Sequence, residues 1–145
     1  IIDITTPTKG WAQNPLSGKA TLSPISEDEL KQKLDDLDIQ DAFVDYKAKG
    51  SVIESLGKDE EDGNEYFKIK MTTKNGNEKT YFFDTKTNLL VKSTSDKGDM
   101  VILDYMEVDG IKFPKNLKLA MMGQNMEMTN SQVIVNKEVS AEDFK

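Results

Sequence analysis

Three consecutive segments between Glu65 and Ser93 constrain this chain more than any other feature. Glu65-Tyr66-Phe67-Lys68-Ile69-Lys70-Met71 alternates polar and apolar side chains at period two. After Asn75-Gly76 comes Lys79-Thr80-Tyr81-Phe82-Phe83-Asp84, and after Thr85-Lys86-Thr87 comes Asn88-Leu89-Leu90-Val91-Lys92-Ser93. Period-two alternation with aromatic and β-branched residues, punctuated by turn residues, predicts strands joined as hairpins. The chain is therefore expected to be organised as an antiparallel meander.

The same pattern extends in both directions. Val52-Ile53-Glu54-Ser55-Leu56 leads into an acidic turn, Asp59 to Asn64; beyond Ser93 come strands over Asp99–Val108, Ile111–Met122 and Gln124–Val135. Asp62-Gly63, Asn75-Gly76 and Asp109-Gly110 are the dipeptides of type I′ turns, in which both central residues need positive φ. At the start, Ile1–Thr5 reads as a strand that begins abruptly, as though its partner lay upstream, and Gly10–Pro15 as the second arm of a hairpin ended by Pro15. Trp11 is expected in the core or at a barrel rim rather than stacked on a ligand.

Helices interrupt this pattern in one place. Ser26 and Glu29 form a capping box, with Ile25 and Leu30 spaced as a hydrophobic staple. Leu30, Leu34 and Leu37 then give one narrow apolar stripe. A second short helix is expected over Gln40–Lys49, with Phe43 and Tyr46 on one side and Gly50 as its C-cap. The pair has the size of a lid, although covering a sheet face is the simpler role. Ser140–Phe144 reads as one capped helical turn.

Composition excludes several functions. A length of 145 residues fits one domain over 1–145, and no apolar run approaches the roughly 20 residues that span a bilayer as a helix. Nineteen basic against 26 acidic residues give a net charge of −7, which disfavours nucleic acid as a partner. There is no Cys and no His, and every basic residue is Lys. The usual zinc sites, thiol nucleophiles and Ser-His-Asp triads, and a bidentate guanidinium clamp, cannot be assembled from such a set. Asp59–Asp62 with Asn64 and Glu65 lacks the spacing of an EF-hand loop and reads as a solvated hairpin tip. Carboxylate pairs such as Asp104 with Glu107 have nothing beyond acidity to recommend them. No catalytic residue, metal or cofactor is assigned, and the expectation is a protein that is not an enzyme.

The strands nevertheless have a dry side. Phe67, Ile69 and Met71 share one face, opposite Tyr66, Lys68, Lys70 and Thr72. Phe113, Leu117, Leu119 and Met121 share another with Ile111, interrupted by Lys115. Six of the seven methionines, among them Met126 and Met128, fall in the last three strands. Methionine suits both an irregular core and a surface that accommodates apolar partners of variable shape, and both roles remain open.

Gly10-Trp11-Ala12-Gln13-Asn14-Pro15 with Gly18-Lys19, Tyr81-Phe82-Phe83-Asp84 with Leu89-Leu90-Val91-Lys92, and above all Asp104-Tyr105-Met106-Glu107-Val108-Asp109-Gly110-Ile111-Lys112-Phe113-Pro114 together resemble the bacterial outer-membrane lipoprotein-sorting (LolA-like) proteins, in particular their Bacteroidetes-type variants. The resemblance runs from about Trp11 onward. It implies a mainly β (α+β) fold: an antiparallel meander forming an incomplete, unclosed barrel or strongly curved sheet, with two short helices on or in its concave face. It also implies a periplasmic carrier that holds the acyl chains of a lipid or lipidated protein. The lining would be Phe67, Ile69, Met71, Phe113, Leu117, Leu119, Met121, Met126 and Met128, and the lid Leu30, Leu34, Leu37 and Phe43. Members of that family are longer, so the resemblance implies an N-terminally shortened domain whose missing strands a second chain or copy could supply. Their lid-closing arginine has no counterpart here. The alternative is a structural or protein-interaction domain of the same fold with a filled interior.

Overall fold

Alternation along the chain becomes pairing between neighbours in the computed structural model, which describes residues 1–15, 18–121 and 123–135. Strands β1 (Ile2–Thr5), β2 (Gly10–Asn14) and β3 (Lys19–Pro24) form one sheet in that order. Strands β4 (Val52–Glu61), β5 (Asn64–Thr72), β6 (Glu78–Asp84), β7 (Leu90–Ser95), β8 (Gly98–Val108), β9 (Ile111–Met121) and β10 (Gln124–Thr129) form a second, ordered β10-β9-β8-β7-β6-β5-β4. Both are antiparallel meanders, and the larger ends at β10 and β4 without closing on itself. The fold is the expected mainly β, unclosed one. The opening strand pairs downstream, Ile4 with Trp11 and Thr5 with Gly10. Strand β3 has no alternating signal and was not expected.

Two compact units are distinguished: Ile1–Ile53 with Met71–Glu78, and Glu54–Lys70 with the described residues from Lys79 onward. In the first unit, the capping box forms as expected. The Glu29 backbone N–H donates to Ser26 Oγ at 3.2 Å and the Ser26 N–H donates to Glu29 Oε2 at 3.0 Å. The helix it starts, α1 (Glu27–Lys33), lasts seven residues before tightening into a 3-10 turn over Leu34–Leu37. Ile25 lies so close over Gly10 that a Cβ there would meet Ile25 Cδ1 at 2.5 Å. Trp11 is half-buried, paired across the sheet with Ile4 and Pro24.

The second helix, expected over Gln40–Lys49, does not form. Asp38 and Asp41 use their carboxylates on the backbone N–H groups of Gln40 and Phe43, at 3.0 and 2.9 Å, which competes with helical bonding. Asp45 then takes φ 52 and breaks the path. What remains are single turns. The last is closed as a Schellman motif at Gly50: the Ser51 N–H donates to Tyr46 O and the Gly50 N–H to Lys47 O. The C-cap was correctly placed, on a turn instead of a helix.

Asp35 ties the 3-10 turn to the tip of the β5–β6 hairpin. Its carboxylate accepts from Thr73 Oγ1 at 2.7 Å, from Asn75 Nδ2 at 2.6 Å and from Asn77 Nδ2. Ion pairs of this unit such as Lys33–Asp3 and Lys19–Glu29, at 3.0 Å each, are half-exposed and screened by solvent, so they contribute little. Each hydrogen bond to a partly buried charge is worth about 1.5–3 kcal/mol. Asp35 is therefore the principal fastener. It also explains why Asn75-Gly76 is not a type I′ turn: Gly76 N–H donates to Thr73 O, Gly76 alone of the two has positive φ, and the Asn75 side chain is turned to Asp35. Asp62-Gly63 and Asp109-Gly110 have positive φ at both residues, as expected.

In the second unit β4 runs through the acidic segment to Glu61, so Asp59–Glu61 belong to a strand and the turn shrinks to Asp62-Gly63. Lysines hold these acids in place: Lys68–Asp59 at 3.2 Å, Lys92–Glu61 at 3.1 Å and Lys58–Glu65 at 2.7 Å. The hydrogen bond from Lys68, then its charge, holds the Asp59 carboxyl below its usual pKa. Strand β10 stops at Thr129 rather than continuing to Val135. Its partner β9 carries Pro114, which has no N–H to offer, and Asn130 instead donates its backbone N–H to Lys115 O and its Nδ2 to Pro114 O, each at 2.8 Å. The helical turn expected over Ser140–Phe144 lies outside the described residues.

Two measurements check this account. Asp35→Ala should lower stability by about 2–3 kcal/mol in urea denaturation, because three polar side chains lose a charged acceptor. The backbone hydrogen bond at Ser26, followed by the hydrogen bond from Lys19, lowers the Glu29 carboxyl from 4.5 to about 2. A depressed folded-state value stabilises above pH 4.5, and this contribution disappears as pH falls from about 4.5 to about 2. A carboxyl-carbon NMR titration should place the Glu29 midpoint near the bottom of that window, and Lys19→Met, which removes the hydrogen bond and charge of Lys19 and leaves the Ser26 backbone N–H in place, should move it up part of the way toward 4.5.

Candidate functional site

Cross-strand register divides the seven-stranded sheet into two faces. On one, Tyr81 pairs with Ser93, Ser93 with Met100, Met100 with Leu119 and Leu119 with Met126. A second row runs from Ile102 through Leu117 to Met128. On the other face Phe82 pairs with Lys92, Lys92 with Val101, Val101 with Lys118 and Lys118 with Glu127. The expected wet and dry sides are both present.

The wet face carries a buried aromatic. Phe82 is 8% exposed, with the ammonium groups of Lys68 and Lys92 5.2 and 5.3 Å from its ring centroid and their charges paired with Asp59 and Glu61. Aliphatic lysine stems cover apolar surface while the heads stay in water, with a cation–π contribution of about 0.5–1 kcal/mol each. Since Lys68 shares Phe82's face, Phe67, Ile69 and Met71 fall on the opposite, dry face by alternation along β5.

The dry face becomes more exposed toward its edge. Ser93 is 1% exposed and Ile102 7%; Leu117 and Leu119 are half-buried; Met126 and Met128 on β10 are 44% and 49% exposed. The apolar rows thus run without a break from buried side chains to open methionines. Met121 lies over Gly98, and Phe113 is half-buried opposite Met106. On β5, Met71 is fully buried, Ile69 half-buried and Phe67 exposed, with Lys58 Nζ 5.6 Å from its ring. The lid residues lie in the first unit, where Leu30, Leu34 and Phe43 are half-buried and Leu37 is exposed.

Sequence reasoning missed Tyr81, Ser93, Met100 and Ile102 as members of the dry face. Tyr81-Phe82-Phe83 and Met100-Val101-Ile102-Leu103 are unbroken apolar runs in which alternation is invisible, and cross-strand register is the signal that separates them. The dry face also holds two hydroxyls on β7. Ser95 Oγ donates to Gly98 O at 3.1 Å, whereas Ser93 Oγ has no partner among the described residues. Nearby, Tyr105 Oη donates to Leu90 O at 2.6 Å, and burial raises its pKa. Among the described residues no group of three or more acidic side chains is placed to hold a metal ion.

No protein-family model and no curated protein matches this chain. Two solved structures share its fold. A domain from Vibrio parahaemolyticus, described as an outer membrane lipoprotein-sorting protein, superposes with a TM-score of 0.60 at 15% identity over 94% of this chain and 63% of its own. A DUF1329 family protein from Desulfovibrio piger does so with a TM-score of 0.59 at 16% identity over 94% and 62%. The chain spans less than two-thirds of the length of either, and at such identities the likeness is one of fold. The LolA-like fold implied by the sequence resemblance is present.

The packing of Met121 over Gly98 is tight enough to test. A Cβ at position 98 would strike the Ala120 carbonyl oxygen and come within 2.9 Å of Met121 Cγ, at a backbone φ of 141. Gly98→Ala should therefore cost about 2 kcal/mol or more, read as a lowered urea midpoint with unchanged slope.

Proposed function

We propose that this chain is a non-enzymatic binding module for the acyl chains of a lipid or a lipidated protein, working on the periplasmic side of a bacterial envelope, with the dry face of β8, β9 and β10 as its binding surface. The observation that carries this is the register of the last three strands. Met100–Leu119–Met126 and Ile102–Leu117–Met128 lay a continuous apolar strip from the sheet interior to an open edge. Burying acyl methylenes on such a strip is worth about 0.8 kcal/mol each and needs no directional contact. Flexible thioether side chains adapt to a chain that has no fixed shape. A fold shared with a protein described as lipoprotein-sorting supports the same function. The absence of His, Cys and Arg, which removes the commonest catalytic and anion-clamping groups, favours a carrier over an enzyme.

The test is native mass spectrometry of the purified chain, followed by solvent extraction. The expected result is a mass above that of the bare polypeptide, with the excess recovered as lipid. Met126→Asp combined with Met128→Asp changes two half-exposed positions, so the fold should persist while lipid occupancy falls at least tenfold. A bare mass, or a co-purified polypeptide without lipid, would instead support a structural or protein-interaction role.

A further inference from the structure

One side chain on the dry face is chemically out of place. Ser93 is 1% exposed, and its Oγ is the buried side-chain oxygen or nitrogen that lacks a hydrogen-bond partner among the described residues. Its neighbours across the strands are Tyr81 and Met100. A hydroxyl taken out of water without a partner destabilises the fold, and Ala at this place would give up no bond at all. The hydroxyl contributes nothing to the folded chain on its own, so an occupant that accepts a hydrogen bond would satisfy it.

We infer that Ser93 donates a hydrogen bond to the carbonyl oxygen at the head of an acyl chain, and so selects chains ending in a neutral ester or amide over plain hydrocarbon. The inference rests on the acyl-binding function proposed above and assigns that ligand its polar end. Register supplies the path. From Ser93 the row passes through Met100 and Leu119 to Met126 at the edge. That is three inter-strand spacings, about 14 Å, along which a hydrocarbon tail can lie. Ser93 is 1% exposed, so the half-buried Met100 beside it must change rotamer as the head enters, a movement the flexible thioether allows. A single hydroxyl among apolar neighbours satisfies one neutral acceptor. A buried carboxylate or phosphate would need several donors or a paired cation. Ser95, two residues on along the same face, already spends its hydroxyl on Gly98 O, which leaves Ser93 as the donor.

The experiment is displacement of the fluorescent probe N-phenyl-1-naphthylamine from the delipidated chain by methyl myristate, N-methylmyristamide and pentadecane. Wild type should bind the ester or the amide about tenfold more tightly than the alkane, the worth of one buried hydrogen bond, and the stronger of the two identifies the linkage. Ser93→Ala should bind all three within about threefold of one another, with alkane affinity and urea midpoint no lower than wild type. Ser93→Cys, of similar size and a weaker donor, should fall between. In isotope-edited infrared spectra, the carbonyl band of bound methyl myristate should lie at lower wavenumber in wild type than in Ser93→Ala. Equal affinities for ester, amide and alkane in wild type, or a preference that survives in Ser93→Ala, would overturn the role of Ser93 and leave the acyl-binding face standing. Failure of all three ligands to displace the probe would overturn both.

Discussion

Everything distinctive about the second unit depends on one register being held across β6 to β10. In an antiparallel sheet a slip of one residue moves every side chain to the opposite face. Such a slip would put Lys92, Lys118 and Glu127 where Ser93, Leu119 and Met126 now stand. Irregularities could cause it, and the β8–β9 pair contains two. The shifts between Ile102 and Asp104 and between Asp104 and Tyr105 act on opposite strands, so Tyr105–Pro114 and Val108–Ile111 resume the alignment that Ile102–Leu117 began. Bulges bend a sheet locally. A compensated pair allows bending while the dry and wet sets stay apart, which an open sheet with one apolar face requires.

The two faces are covered by different chemistry. On the wet face, the ammonium groups of Lys68 and Lys92 lie over the buried Phe82 ring and are paired with Asp59 and Glu61, so charged residues stand where a hydrophobic layer would otherwise be needed. On the dry face of β10, Met126 and Met128 are open, with no such paired lysines over them among the described residues. The first unit shows a third arrangement, in which Asp35 joins the 3-10 turn to the hairpin tip through Thr73, Asn75 and Asn77. Hydrogen bonds to a partly buried charge outweigh the surface ion pairs around it. Leu34 and Leu37 therefore sit on an element tied to the hairpin tip.

Legibility in the sequence followed the physical range of each signal. Local signals were read well. The capping box at Ser26 and Glu29, the stop at Gly50, and the positive-φ pairs at Asp62-Gly63 and Asp109-Gly110 depend on a few adjacent residues. Competition between local and distant bonds was not visible. Asp38 and Asp41 look helix-compatible by spacing yet bind neighbouring N–H groups, and Asn75-Gly76 looks like a type I′ turn until its side chain is turned to Asp35, forty residues away. The end of β10 was hidden because Pro114 acts on it from the neighbouring strand. Leu117, Leu119, Met126 and Met128 could be assigned to one face from the sequence because their stretches of β9 and β10 alternate. Tyr81, Ser93, Met100 and Ile102 were missed because their runs do not.

An edge strand usually carries charges that discourage another strand from pairing with it. In β10 the charge, Glu127, is on the wet face and engaged by Lys118 at 3.3 Å, while Met126 and Met128 are on the dry face. The strand is thus protected on one side and adhesive on the other. Strand addition draws on the outward backbone N–H and C=O groups of the edge and is indifferent to which face is apolar. Hydrocarbon draws on the face and is indifferent to the backbone. The open methionines continue rows that begin at buried Ser93 and Ile102, so the apolar surface these rows still expose lies mostly at their β10 end and on the face rather than along the backbone edge. Area removed from water sets the hydrophobic gain. On that ground the acyl chain proposed above would draw on the open methionines of this face, which strand addition along the backbone edge does not require.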